Sequence, residues 1–168
     1  MNLLDISIIR RVRRNHALEH ATIHLLSASN PGKPLAGRST PHGFYLYGDV
    51  TQESLTAAAY DAFTRLRRGE SRLAIHPGCG TNYLTSGTFA GLAVFSALNI
   101  GQQKDRWARL PDAVVAATIA LIMAQPIGPL LQEKITTLAD MGDLAITSVR
   151  RLGTRGKMNI HFVETFST

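Results

Sequence analysis

Three histidines and one glutamate stand close together near the start of the sequence, in the stretch NHALEHATIHLL. His16, His20 and His24 follow one another at steps of four, and Glu19 is the only Asp, Glu, Lys or Arg in the stretch. Side chains four residues apart on a helix have Cβ atoms about 5–6 Å apart, so two imidazoles at this spacing can reach one zinc ion. The order His16, Glu19, His20 is the inverted zinc-peptidase signature H-x-x-E-H, in which the histidines bind zinc and the glutamate is the general base. The sequence therefore predicts zinc chemistry, with His16 and His20 as ligands and Glu19 as the base.

The composition of this helix also predicts that it is buried. Apolar and small side chains cover nearly all of its surface, and a buried carboxylate is costly unless it is paired or neutralised. A cation held by the imidazoles would satisfy Glu19. Two alternatives remain open: the histidines bond to backbone carbonyls while Glu19 pairs with Arg11 or Arg14, or the histidines ligate haem or another cofactor. His24 by itself is more typical of a satisfied core histidine than of a ligand.

A zinc site with two histidines needs a third protein ligand, and the candidates are Glu70, His76, Cys79 and His161. His76 and Cys79 are three residues apart in AIHPGCGTN, where a predicted strand ends and a loop can present a ligand. Two histidines with a cysteine, or three histidines, plus one open position are typical of catalytic zinc, whereas Glu70 would give two histidines and a glutamate. Glu70 and His76 also fit as a surface acid and a turn residue before proline. Cys79 fits as a small buried residue or as a thiol nucleophile, and His161 as an ordinary strand residue.

The surrounding elements predict a fold of the α/β class, of the α+β kind. The histidine helix is expected from Asn15 to about Ser29, where NPGKP ends it. GFYLYGDV is rich in aromatic residues and is typical of a strand entered through the turn TPHG. Thr51 can cap a second helix that ends in RLRRG, and RLAIHPG is then predicted to be a short strand. KMNIHFVETF alternates like a strand and is expected to return to the same sheet.

Two long runs without Asp, Glu, Lys or Arg separate these parts, residues 83–101 and residues 113–132. Each is close to the roughly 20 residues that cross the hydrocarbon core of a bilayer. With the short polar loop of residues 102–112 between them, they predict a transmembrane helical hairpin, and a pair of buried helices is the alternative. Pro126 and Pro129 predict that the second helix kinks or ends near Gln125.

These segments predict three parts. Residues 1–82 form an N-terminal α/β part with the histidine helix, residues 83–132 form the transmembrane hairpin, and residues 133–168 form a C-terminal helix and strand that return to the soluble domain. Basic residues flank both runs, which favours an integral membrane protein with both termini cytoplasmic.

The net charge of +6 comes from clusters of arginine and lysine. Such clusters bind nucleic acid or anionic lipid. No aromatic-interleaved basic motif or zinc-finger spacing is present, so nucleic acid is not expected and a lipid bilayer is the expected partner, with a membrane protein or a second copy of the chain as further partners. The single cysteine excludes an intrachain disulfide, and the basic residues follow rather than precede the first apolar residues, unlike a signal peptide.

Taken together, NHALEHATIHLL, GFYLYGDV, RLRRGESRLAIHPGCGTN and the two apolar runs resemble the bacterial membrane family DUF6391 over roughly residues 12–165. That resemblance implies a small integral protein of the bacterial inner membrane and carries no function. HALEH also resembles the zinc motif of the insulysin and pitrilysin peptidases, which implies that His16 and His20 bind zinc and that Glu19 is the base. Those peptidases take their third ligand from a glutamate farther along the chain, whereas this sequence has no Glu between Glu70 and Glu133.

Two functional hypotheses follow from the sequence. The first is a membrane-anchored zinc-binding protein acting as a metal-dependent hydrolase of the metallopeptidase kind. The second is a non-catalytic integral membrane accessory or assembly protein, whose histidine helix is structural or binds a cofactor. The sequence leaves open whether the protein is an enzyme.

Overall fold

The computed structural model describes residues 3–100, 107–156 and 158–168. The described residues form five α-helices and four β-strands, joined by short 3-10 and π-helical turns. The helices are α1 (Ser7–Ser29), α2 (Gln52–Arg67), α3 (Gly80–Asn99), α4 (Leu110–Ala124) and α5 (Ile127–Leu131). The strands are β1 (Leu35–Thr40), β2 (Gly43–Gly48), β3 (Ala145–Arg155) and β4 (Met158–Phe166). The chain divides into two compact units, one containing the residues up to His76 together with Glu133–Thr168, the other Pro77–Gln132.

The first unit is built on a four-stranded antiparallel sheet with the strand order β1-β2-β4-β3. β1 and β2 form a tight hairpin closed by the pair Thr40 and Gly43, as the turn TPHG predicts. β4 lies beside β2, with His161 opposite Leu46, so the expected return of KMNIHFVETF to this sheet is confirmed. β1 and β3 are the two edge strands.

The core of the first unit lies between one face of this sheet and the helices α1 and α2. Phe44 and Leu46 of β2 and Val163 of β4 alternate along their strands and are fully buried in one apolar cluster with residues of both helices. α1 contributes Leu18 and α2 contributes Leu55 to the same cluster. The sheet therefore supports α1, the helix that carries the three histidines.

Local chemistry explains why α1 and α2 form where they do. α1 contains neither glycine nor proline over its 23 residues, and it ends immediately before Asn30, Pro31 and Gly32, the last with a φ of 82°. It begins at Ser7, well before the expected start at Asn15. The predicted cap of α2 is confirmed, because the hydroxyl of Thr51 accepts a hydrogen bond from the backbone N–H of Ser54 at 3.2 Å.

Two expectations about strands and helices are wrong, and the structure contains one strand that the sequence does not predict. RLAIHPG is not a strand, because Ser71–Ala74 forms a 3-10 turn. The backbone carbonyls of Ala74 and Ile75 accept hydrogen bonds from His20 and His24 of α1. β1 has no apolar alternation in its sequence, LAGRST, and it was not expected. The described part of residues 133–168 holds no α-helix beyond a π-helical turn at Gln132–Thr136, and its β-branched stretch forms the edge strand β3 instead.

The second unit consists of helices. α3 contacts both α4 and α5. Gly128 of α5 packs closely against Asn82 of α3, and the side-chain oxygen Oδ1 of Asn82 accepts a hydrogen bond from Nε2 of Gln132 at 2.7 Å. α4 ends at Ala124, so the predicted break before Pro126 is confirmed. Residues 102–106 of the expected polar loop, and Gly101 before them, lie outside the described residues.

The expectation of a two-span transmembrane hairpin is not supported. Among the described residues one helical stretch, Trp107–Ala124, is long and apolar enough to cross a membrane, with a mean hydropathy of 1.5 over 18 residues. α3 fails that test because serine, threonine and asparagine residues interrupt its apolar sequence, GTNYLTSGTFAGLAVFSALN. The stretch that passes is mostly exposed, since 11% of it is buried.

Candidate metal centre

α1 brings His16, Glu19 and His20 together by its own periodicity. Residues four apart lie one above the other on a helix, and the ring centroids of His16 and His20 are 4.2 Å apart. Both Glu19 and His20 are buried, with 5% and 2% of their surfaces exposed. The predicted pair of imidazoles therefore forms on a buried helix, as the sequence indicates.

Hydrogen bonds orient both imidazoles in the same way. Nδ1 of His16 lies 2.9 Å from the carbonyl oxygen of Thr136, and Nδ1 of His20 lies 2.7 Å from the carbonyl oxygen of Ala74. A carbonyl can only accept, so in the neutral ring each Nδ1 carries the proton and each Nε2 keeps its lone pair. Histidines that bind metals commonly donate their other ring N–H to a carbonyl in this way, which fixes the tautomer and the ring orientation.

Arg13 holds the segment that carries one of these carbonyls. Its guanidinium donates to the carbonyl oxygens of Lys134 and Thr137 at 3.0 and 3.1 Å, and its own carbonyl accepts from the N–H of Leu138. Thr136 lies between the residues that Arg13 bonds, so these hydrogen bonds fix the position of the carbonyl that His16 contacts. The contact could not be expected from sequence, because Arg13 and Thr136 are more than a hundred residues apart.

Cys79 supplies a third potential ligand. The ligand atoms of His16, His20 and Cys79 all lie within 4.8 Å of one another, and they form a cluster that could hold a metal ion. Cys79 is the N-cap of α3, and its Sγ accepts a hydrogen bond from the N–H of Thr81 at 3.4 Å.

Glu19 is satisfied by strand β1. The hydroxyl of Ser39 donates a short hydrogen bond to Oε2 of Glu19, and the carboxylate lies directly on the backbone of Gly37, where no side chain intervenes. The alternative partner Arg14 instead forms an ion pair with Asp143 at 2.7 Å. The acid is thus held by the sheet, and both β1 residues that hold it were missed because β1 itself was not expected.

Two of the candidate third ligands, Glu70 and His161, lie outside the cluster of His16, His20 and Cys79. Glu70 accepts two hydrogen bonds from the guanidinium of Arg65, at 2.9 and 2.7 Å, and this pairing lowers the pKa of the carboxyl. His161 is fully buried on β4, and neither ring nitrogen has a hydrogen-bond partner. Burial lowers the pKa of His161, and the nearby Arg151 lowers it further. Neither residue belongs to the cluster of His16, His20 and Cys79.

His76 and His24 extend the imidazoles into a row. The ring of His76 lies 5.6 Å from that of His20 and 4.9 Å from that of His24, measured between centroids. Burial lowers the pKa of His76 to about 4, and repulsion by the imidazolium forms of His20, His24 and His16 adds to the effect. His76 is therefore neutral at neutral pH.

The fold and the cluster define a small mixed α/β protein with potential metal ligands on its first helix. By sequence the chain belongs to the family of the domain of unknown function DUF6391, whose model matches residues 11–149. It is similar to an uncharacterized protein of Picosynechococcus sp. strain PCC 7002, at 36% identity over 162 residues that cover 90% of this chain and 78% of the relative. No solved structure matches the chain. The expected family is confirmed, and the likeness to zinc peptidases remains a similarity of one motif.

Proposed function

We propose that this protein binds one zinc ion through His16, His20 and Cys79. The observation that carries the proposal is the matched pair of imidazoles, each with Nδ1 bonded to a backbone carbonyl, so that the lone pair of the neutral ring lies on Nε2. Two imidazoles and one thiolate are a donor set that zinc accepts at catalytic sites, with a fourth position open. The ligand atoms of these three residues lie within 4.8 Å of one another, which supports a shared ion.

The reaction that suits this arrangement is hydrolysis, with Glu19 as the general base. Zinc at such a site supplies Lewis-acid chemistry, which makes water acidic enough to act as a nucleophile near neutral pH. Glu19 stands between the two histidines in the order that inverted zinc peptidases use. Its hydrogen bond from Ser39 fixes the position of the carboxylate.

Metal content tests the binding proposal. We expect about one zinc per chain by elemental analysis of protein purified without chelator, and a loss of that zinc in the double variant His16→Gln, His20→Gln. His42→Gln is the matched control, because His42 is exposed on the β1–β2 turn and takes no part in the row of imidazoles. Zinc that remains at one equivalent in the double variant, or a wild-type protein without metal, would refute the site.

Glu19→Gln tests the catalytic proposal separately. The amide keeps the shape of the side chain but accepts a proton poorly, so we expect unchanged zinc content and loss of turnover toward an activated ester such as p-nitrophenyl acetate. A variant that binds zinc and hydrolyses the ester at the wild-type rate would contradict the role of Glu19. A wild-type protein that binds zinc but shows no hydrolysis would favour the accessory hypothesis, with a structural metal.

We also propose that a lipid bilayer is a partner of the second unit, through the exposed apolar side chains of α4. Ile119 and Ile122 expose 53% and 61% of their surfaces to solvent, and exposed apolar patches of this kind mark interaction surfaces. Flotation with phosphatidylglycerol vesicles tests the proposal. We expect the wild-type chain to float and the variant Ile119→Lys, Ile122→Lys to remain in solution, with Tyr60→Lys on α2 as the control. Flotation of the double lysine variant would exclude this surface.

A further inference from the structure

Four imidazoles form a continuous row in the first unit, and the proposed zinc site uses only two of them. Along the row the ring centroids of His16 and His20 are 4.2 Å apart, those of His20 and His76 5.6 Å, and those of His76 and His24 4.9 Å. His24 and His76 stand at the far end from His16. Both are partly exposed, so water and ions reach them.

The hydrogen bond of His24 determines which of its ring nitrogens can bind a metal ion. Its Nε2 lies 2.8 Å from the carbonyl oxygen of Ile75, so Nε2 carries the proton and Nδ1 keeps its lone pair. Ile75 directly precedes His76 in the chain, and this bond therefore also fixes the backbone beside the second imidazole. The two rings are tilted by 44° and are held on the same side of α1.

The distance between the rings of His24 and His76 matches the distance expected for two imidazoles that bind one metal ion. A ring centre lies about 3 Å from a zinc ion bound at about 2.0–2.1 Å, so two imidazoles on one tetrahedral ion have centres roughly 5 Å apart. The 4.9 Å between His24 and His76 agrees with that separation.

We propose that His24 and His76 form a second cation site, which binds a divalent late transition-metal ion such as Zn²⁺ with water in the remaining positions. Two protein ligands bind more weakly than three, so this site fills after the site of His16, His20 and Cys79. The ion here is exchangeable and close to solvent. The second site does not depend on occupancy of the first, because the two sites share no ligand.

Equilibrium dialysis against increasing free Zn²⁺, followed by elemental analysis, tests the second site. We expect the wild-type chain to bind one equivalent at low free zinc and a second at higher free zinc. The variant His24→Gln, His76→Gln should lose only the second equivalent, and His42→Gln should retain both. The variant His16→Gln, His20→Gln should lose the first equivalent and retain the weaker one, which separates failure of this inference from failure of the proposed function.

Three outcomes would overturn the second site. They are a wild-type chain that saturates at one zinc, a second equivalent that persists in His24→Gln, His76→Gln, and loss of the tight equivalent when His76 alone is replaced. The last result would make His76 a ligand of the first ion. Circular dichroism shows whether the double variant folds. If it does not, the single variant His24→Gln carries the test, because its ring is partly exposed and its loss leaves the core intact.

Discussion

Replacement of Gly37 by alanine tests how Glu19 is held. A Cβ on Gly37 would lie 2.6 Å from Cγ of Glu19 and closer still to its carboxylate, well inside van der Waals contact. Glu19 is 95% buried and bonded to Ser39, so it cannot swing into solvent. The carboxylate must shift and give up that hydrogen bond. Overpacking of a buried site costs about 1–3 kcal/mol and a hydrogen bond to a charged group is worth about 1.5–3 kcal/mol. The lower ends of these ranges add to roughly 2.5 kcal/mol, so we expect a loss of at least about 2 kcal/mol.

Urea denaturation measures that loss of stability. In thermal denaturation, Gly37→Ala should lower the melting temperature by roughly 4–8 °C for a chain of this length. Gly153→Ala is the matched control. Gly153 also lies in the sheet without a positive φ, and a Cβ there meets no atom within 4 Å. Its replacement should leave stability unchanged or raise it slightly.

A double-mutant cycle identifies Glu19 as the cause of the loss. In a Glu19→Ala background the obstacle is gone, so Gly37→Ala should cost much less than it does in the wild-type protein. A cost for Gly37→Ala that equals the effect of Gly153→Ala would refute the close contact. A cost that persists without the Glu19 side chain would show that Gly37 is constrained by something else.

Two further predictions concern buried imidazoles. In metal-free protein the free energy of unfolding should fall as pH is lowered from about 6.5 to about 4, because the unfolded chain binds a proton at the ordinary pKa of histidine while burial holds the pKa of His76 at about 4 in the folded state. Urea denaturation across this range should show a smaller pH dependence in His76→Gln, and an identical dependence would contradict the assignment. His161→Leu should raise the stability at pH 7 by about 1 kcal/mol, because both ring nitrogens of His161 are buried without partners. A less stable His161→Leu protein would mean that a bound water satisfies the ring.

The elements that the sequence predicts well are those with strong local signals. The histidine helix, the capped helix α2 and the strands β2 and β4 each contain a periodicity or a cap that needs no distant partner. β1 was missed because its sequence, LAGRST, has no apolar alternation, and its position depends on pairing with β2. RLAIHPG has the composition of a strand, but its carbonyls bond to the imidazoles of His20 and His24 instead of a neighbouring strand.

The candidate metal centre also combines features with a local sequence signal and features that depend on distant residues. The spacing of His16, Glu19 and His20 is a local signal, and the structure brings the two histidines together. The groups that orient them are remote: the carbonyl of Thr136 for His16, and the hydroxyl of Ser39 for Glu19. Backbone carbonyls have no residue signature, so a sequence pattern can indicate a ligand without showing what fixes its tautomer.

The first unit is assembled from the two ends of the chain, with Pro77–Gln132 inserted between them, and this order matters during synthesis. Asn15 on α1 donates to the carbonyl of Thr40 and accepts from the hydroxyl of Thr165, a partner made 150 residues later. The carbonyl that orients His16 also comes from the later segment. While the ribosome is still making the inserted helices, α1 lacks β4, and neither its buried face nor its histidines have their final surroundings. Contacts so distant in sequence form slowly. We therefore expect the proposed zinc site to take up metal only after Glu133–Thr168 has been translated.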